Sequence, residues 1–258
     1  MKHFGPARRA VLLVVLALLA VPRLGVAAEA PRTVAVLSLI GDEMSLVTRR
    51  TATGSSLDRN ERQAIAIADP SFDLAAALAA ERAIKEAMPG AERLRVTVGD
   101  KRLFALQDAV LDPGPASDPM REALQALLRD AKASHLLLIT KRRDDARFRL
   151  GDSHIGNGKI SGIGIFIDNV VGLDDPQSGI YGNGYFAAFA YLKATLVEVE
   201  TMRVLGSANG SESMLTTSIG SSAVDAWEAL PAAGKAEHLI RVADLAAYRA
   251  TSEVVAVR

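Results

Sequence analysis

Acidic and aromatic side chains lie close together in one glycine-rich segment of the chain, Gly151–Gly184. Carboxylates accept hydrogen bonds and attract cations, and aromatic rings supply large contact areas. Surfaces that bind other proteins combine polar groups with aromatic rings. The segment is too apolar to be disordered, and a long stretch without regular structure in a compact domain is usually functional. We therefore predict a binding loop without a catalytic role. Its predicted binding residues are Phe166, Asp168, Asp174, Asp175, Tyr181 and Tyr185.

The same segment allows a plainer interpretation. Ile160–Ile167 is a short run rich in isoleucine, which favours a strand. Glycines inside strands mark bulges or close backbone approaches. The alternative to a binding loop is therefore that Ile160–Ile167 is a core strand and that the glycines form turns.

The triplet Gly151-Asp152-Ser153 resembles the nucleophile block of the GDS-type esterases. A serine nucleophile needs a base to take its proton, and His154 and His238 are the candidates. The triplet lies in mid-chain instead of after the first strand, and Lys235 stands where that family has an acid three residues before the histidine. We therefore predict a turn capped by Asp152 and Ser153. An esterase-like periplasmic hydrolase stays as an alternative function.

The sequence predicts no cofactor and no metal site. The oxygen-bearing side chains of Asp168, Asn169, Asp174 and Asp175 do not have the spacing of an EF-hand loop. A nucleotide-binding glycine loop leads into a helix, whereas a strand is expected after these glycines. The chain has no cysteine, which excludes disulfides and thiolate metal sites. A small-molecule or ion-binding periplasmic protein is the second alternative.

The first 28 residues predict export. Met1–Arg9 is basic, and the apolar run Ala10–Val21 is shorter than the about 20 residues that span a bilayer. We therefore expect a cleaved signal peptide at 1–28, a periplasmic location, and one α/β domain at 29–258 without a transmembrane segment. That domain has 26 basic and 30 acidic side chains, a net charge of −4. This balance argues against a nucleic-acid partner.

Hydrophobic periodicity predicts the elements that position these residues. Asp69-Pro70 and Asp118-Pro119 are typical of helix starts, and Leu127 and Leu128 are expected in the buried stripe of the second helix. The predicted order is strand Thr33–Ile40, helix Ser71–Met88, strand Arg93–Val98, helix from Asp118, strand Leu136–Ile139, glycine-rich insertion 151–184, strand Phe186–Val199, strand Val204–Ser213 and a final helix. The fold class is α/β with a mixed sheet, as β-α-β-α-β, the insertion, a β-hairpin and a C-terminal helix.

Two stretches resemble the amino-terminal domain of TolB and the related domains of curli-secretion and penicillin-binding-protein-activator lipoproteins. They are Thr33–Ile40 and Leu192–Gly210 (LKATLVEVETMRVLGSANG), where a long strand turns at an acid-threonine pair. The glycine-rich segment departs from that pattern, and a lipid-bearing cysteine is absent. The resemblance implies a non-enzymatic periplasmic docking or assembly module that binds another cell-envelope component, in the first place a protein. The oligomeric state is not predicted.

Overall fold

The computed structural model describes residues 32–50, 58–175, 180–217 and 227–256, and for 171–175 and 180–183 it describes the backbone only. The predicted signal peptide lies outside the described residues. The helices are α1 (Ser71–Ala87), α2 (Lys101–Ala105), α3 (Asp118–Asp130) and α4 (Ala232–Ala256). The strands are β1 (Thr33–Leu39), β2 (Glu43–Thr48), β3 (Glu61–Ala66), β4 (Glu92–Val96), β5 (His135–Lys141), β6 (Arg143–Asp145), β7 (Phe148–Leu150), β8 (Ser153–Ile155), β9 (Lys159–Asp175), β10 (Ile180–Glu198) and β11 (Arg203–Thr217).

Nine of the described strands form one mixed sheet in the order β3-β2-β9-β10-β5-β1-β4, with β11 also paired to β10 and β6 to β9. Strands β4, β1 and β5 are parallel, because the chain crosses through helices between them. Strand β10 is antiparallel to β5, β9 and β11. The predicted mixed-sheet class and order of elements are confirmed. No described helix is long and apolar enough to cross a bilayer.

Each face of the sheet is covered differently. Helices α1 and α4 cover one face, where their alanines allow close packing on isoleucines, leucines and Phe186 of the sheet. Helices α2 and α3 cover the opposite face over β4, β1 and β5. The segment β6–β8 covers that same face over β9 and β10, through an aromatic cluster. The second face therefore has two separate covers.

The two Asp-Pro pairs start helices as predicted. The Asp69 carboxylate accepts a hydrogen bond from the Ser71 amide at 2.7 Å, and Pro119 lies in the first turn of α3. Leu128 is buried, but Leu127 is 49% exposed, so its assignment to the buried stripe is wrong. Adjacent helical residues point about 100° apart, and the core contacts only one of the two.

The glycine-rich segment is not the loop that its composition predicts. Lys159–Asp175 forms β9, which pairs with β10 along its length, so the core-strand interpretation of Ile160–Ile167 is confirmed. Ile163 and Ile165 are buried under the helices, which outweighs the low strand propensity of glycine. Gly184 has a φ of +78° at a shift of register between Asn183 and Tyr185. A glycine there permits the bulge because it has no Cβ.

Candidate functional site

Three of the predicted binding residues, Phe166, Asp168 and Tyr185, come together inside the protein. All three have 0% exposure. The rings of Phe166 and Tyr185 stack with centroids 6.2 Å apart, and Phe148 of β7 packs on both. These three side chains are therefore part of the core under β6–β8 and have no surface for a partner to contact.

The charge inside this aromatic cluster is balanced. The Asp168 carboxylate lies 2.6 Å from the guanidinium of Arg49, and it accepts a hydrogen bond from the Val170 amide at 2.9 Å. Burial raises the pKa of Tyr185, and the negative charge of Asp168 beside it raises that pKa further. Tyr185 is therefore protonated across the physiological pH range and does not act as a base here.

Asp174, Asp175 and Tyr181 lie on the far part of the β9–β10 hairpin. In the backbone register, Tyr181 pairs with Asp174, and Asp175 pairs with Ile180. Their side chains lie outside the described residues, so their role in binding stays a prediction.

Ser153 lies at a hairpin turn. Leu150 pairs with Ser153 across Gly151-Asp152, and Gly151 has a φ of +57°. His154 follows Ser153 in strand β8, and successive side chains of a strand point to opposite faces. His154 is therefore badly placed to take a proton from Ser153, and the geometry favours the capped turn over an esterase nucleophile.

An open groove of about 620 Å³ lies between the two covers of the second face. It is outside the carboxyl ends of the parallel strands β1 and β5, where sheets of this kind commonly bind ligands. Its other walls come from α2 and from the start of β6. We call it the sheet groove, and its lining residues are Asp42, Glu43, Lys101, Phe104, Ala105, Gln107, Asp108, Lys141, Arg142, Arg143, Ser161 and Lys193.

Lys193 projects from the floor of the sheet groove. It is exposed, whereas every other residue of β10 between Gly184 and Val197 is buried. On the same face, Tyr191 belongs to the aromatic cluster and Val197 to the core under α2 and α3. Lys193 therefore lies between the part of the face covered by α2 and α3 and the part covered by β6–β8, with its ammonium group exposed to solvent.

The wall beside β1 is held in place by hydrogen bonds and charge. The ammonium group of Lys141 lies 2.5 Å from Asp42 and 3.5 Å from Glu43, and the Lys141 amide donates to the Gln107 side chain at 2.8 Å. Asp73, in the first turn of α1, accepts from the Ile40 amide at 2.9 Å. Burial raises the pKa of Asp73, and the charge of Asp42 adds to that effect.

The sheet groove suits an anionic ligand. Five of its lining side chains are basic and three are acidic, although residues 29–258 as a whole are net acidic. Lys141 is engaged by Asp42, whereas Lys101, Arg143 and Lys193 form no ion pair with any described residue. Ammonium and guanidinium groups form charge-assisted hydrogen bonds to carboxylates and phosphates. The groove can therefore hold such a group through these three cations.

The sequence carried only one signal for this groove. Lys193 is the single charged residue in the mainly apolar run from Tyr185 to Val197. The other lining residues come from α2, from the loop after β1 and from β6, which are far apart in the chain. Only the fold brings them to one place.

Comparisons with known proteins give weak similarities. No family model and no curated protein matches the chain. Among solved structures, a PelC variant dodecamer from Paraburkholderia phytofirmans is 12% identical, with 88% of this chain and 87% of that chain covered and a TM-score of 0.32. A DUF330 protein from Xanthomonas campestris is 13% identical over 88% and 82%, with a TM-score of 0.30. Lipoprotein GNA1162 from Neisseria meningitidis is 12% identical over 71% and 84%, with a TM-score of 0.26. The similarity assigns the chain to no family.

Proposed function

We propose that this protein is a non-catalytic docking module of the cell envelope, exported to the periplasm, and that its sheet groove holds an acidic group of a partner protein. The observation that carries the proposal is Lys193, an exposed lysine in the middle of a buried strand. Neither cover of the second face packs on this side chain, so its ammonium group can form a charge-assisted hydrogen bond to an acidic group that enters the groove.

The surroundings of Lys193 support the same role. Lys101 on α2 and Arg143 at the start of β6 stand on opposite walls of the groove and are both exposed. The groove is open and polar, which suits a segment of a protein surface better than a small apolar ligand. The position of Ser153 in a hairpin turn supports binding over the hydrolase alternative.

The experiment is site-specific photo-cross-linking in intact cells. A photoreactive amino acid replaces Lys101 at the rim of the groove, which leaves Arg143 and Lys193 to hold the acidic group. In a matched control it replaces Lys85, which is exposed on α1 at the other face. We expect a discrete protein adduct from position 101 and none of that size from position 85.

A second variant tests the charge. Lys193→Glu should lower the yield of that adduct by about tenfold or more, because a negative charge then faces the acidic group, while Lys193→Arg should retain it. Both variants should keep the melting temperature within about 2 °C of the parent, since the side chain is exposed. An adduct that forms equally from position 85, or that survives Lys193→Glu, would contradict the proposal.

A further inference from the structure

Strand β11 forms an edge of the sheet that lacks the usual protection. It is 15 residues long and, among the described strands, it pairs only with β10. An unpaired strand edge presents backbone N–H and C=O groups that can pair with another chain, and proteins protect such edges with short strands, lysine or proline. From Val204 to Thr217, β11 has no lysine, arginine or proline and a single acid, Glu212.

The strands at the two ends of the sheet order, β3 and β4, are protected in the usual way, and β6, which among the described strands pairs only with β9, has three residues. Strand β3 has six residues and carries Glu61 and Arg62, and β4 has five residues and carries Glu92, Arg93 and Arg95. Both are therefore poor templates for pairing. Among the described strands, this contrast singles out β11, around Ser211–Ser213, as the edge that can accept a further strand.

A second groove, of about 340 Å³, runs along this edge. Its floor is Ser211, Glu212 and Ser213, three consecutive residues of β11. Ser211 and Ser213 pair with Tyr191 and Phe189 of the aromatic face, whereas Glu212 pairs with Ala190 of the helix-covered face. Because lining residues come from both faces of one strand, the groove follows the edge itself. We call it the edge groove.

Both walls of the edge groove are basic. Arg147, Arg149 and His154 come from the β7–β8 hairpin and its approach, on the aromatic face. Arg249 comes from α4 on the opposite face and lies 2.7 Å from Glu212. Arg147 and Arg149 are exposed and form no ion pair with any described residue. A strand that enters this groove therefore meets Arg147 and Arg149 on the aromatic face, and on the other face Arg249, which is already paired with Glu212.

We propose that the edge groove binds an extended acidic segment of a partner protein, which adds to the sheet as a strand beside β11. Backbone hydrogen bonds to β11 provide the affinity, and carboxylates of the segment reach Arg147 and Arg149. A second copy of this chain fits less well, because pairing β11 with its own copy brings two sets of arginines together. This surface is separate from the sheet groove and does not depend on it.

The test uses a fluorescent ten-residue peptide of alternating threonine and glutamate, with the mature protein. We expect saturable binding by fluorescence anisotropy, together with slower hydrogen exchange of backbone amides in Arg203–Thr217. A peptide of alternating threonine and lysine, and the acidic peptide N-methylated at alternate residues in either register, should bind at least about tenfold more weakly. The lysine peptide lacks the negative charge that the arginines attract. The N-methylated peptides lack the backbone N–H donors that pair with a strand.

Charge-reversal variants locate the site. Arg147→Glu combined with Arg149→Glu should weaken binding of the acidic peptide by about tenfold or more, because these arginines are exposed and their charges are not needed for folding. Arg241→Glu, at an exposed position on the same helix as Arg249, should leave binding unchanged. Circular dichroism confirms that each variant is folded.

Three results would overturn the inference. Absence of binding would do so, and so would equal binding of the N-methylated peptides, which would mean charge attraction without strand addition. The third is a concentration-dependent dimer that protects Arg203–Thr217 in the absence of peptide, since the occupant of the edge would then be a second copy.

Discussion

The fully buried carboxylate of Asp168 is stabilised by the guanidinium of Arg49 and by the Val170 amide. A carboxylate without a partner in an apolar interior costs several kcal/mol. Arg49 is 30% exposed at its side chain, so water also reaches the pair and reduces its strength. The neighbouring Arg50 forms an ion pair with Glu61 in which both side chains are mostly exposed, at 64% and 60%. The adjacent Arg49 and Arg50 therefore pair with carboxylates that differ strongly in burial.

This difference gives a prediction at the scale of single residues. Arg49→Ala should lower the free energy of unfolding by about 2–4 kcal/mol, because the buried Asp168 carboxylate loses its ion pair with Arg49. Arg50→Ala should lower it by less than about 1 kcal/mol, because exposed ion pairs contribute little. Urea denaturation of both variants gives the two values. Equal losses would mean that Asp168 is solvated and that the region under β6–β8 is not closed.

Among the packed elements, α4 and β11 depend on a contact that only glycine allows. A Cβ at Gly210 would collide with the carbonyl oxygen of Ala246 in α4 and would lie 3.2 Å from the Ala250 Cβ. A Cβ at Gly206, four residues earlier in the same strand, would meet Val254 at 3.5 Å, an ordinary contact. The helix therefore approaches the strand most closely at Gly210.

We predict that Gly210→Ala destabilises the protein by about 1–3 kcal/mol, since α4 must move away from the sheet. Gly206→Ala should change the free energy of unfolding by less than about 0.5 kcal/mol. Thermal or urea unfolding followed by circular dichroism measures both. If the two alanines have the same effect, the packing of α4 on β11 is looser than described.

For the whole molecule, the basic start and the short apolar run of residues 1–28 lead to a prediction about processing. We expect the protein recovered from the cell envelope to begin at Glu29 or Pro31, because small residues precede both positions and the apolar run is too short to stay as an anchor. Intact mass and amino-terminal sequencing test this. Recovery of a chain that keeps Met1 in the inner membrane would refute it, and would also remove the periplasmic part of the proposed function.

The sequence by itself determined the long helices α1, α3 and α4 and the central strands, but it did not predict the short helix α2. Asp69-Pro70 marked the start of α1, and the apolar run of β10 predicted a strand buried on both faces. These features depend on near neighbours in the chain, because caps act within one turn and strand alternation within a few residues. The same local rules predicted a loop where glycines alternate with isoleucines, but the structure has a strand there. The low strand propensity of glycine takes no account of the core contacts that Ile163 and Ile165 make.

Only the tertiary structure decided which segments pack on each face of the sheet. It turned Phe166, Asp168 and Tyr185 inward under β6–β8, although an acid among aromatic residues in a glycine-rich segment was expected on the surface. It also left Lys193 exposed and placed Ser211–Ser213 of β11 next to cations from distant parts of the chain. Burial and electrostatic neighbourhood depend on groups brought together across the sheet, and no local pattern of residues contains that information.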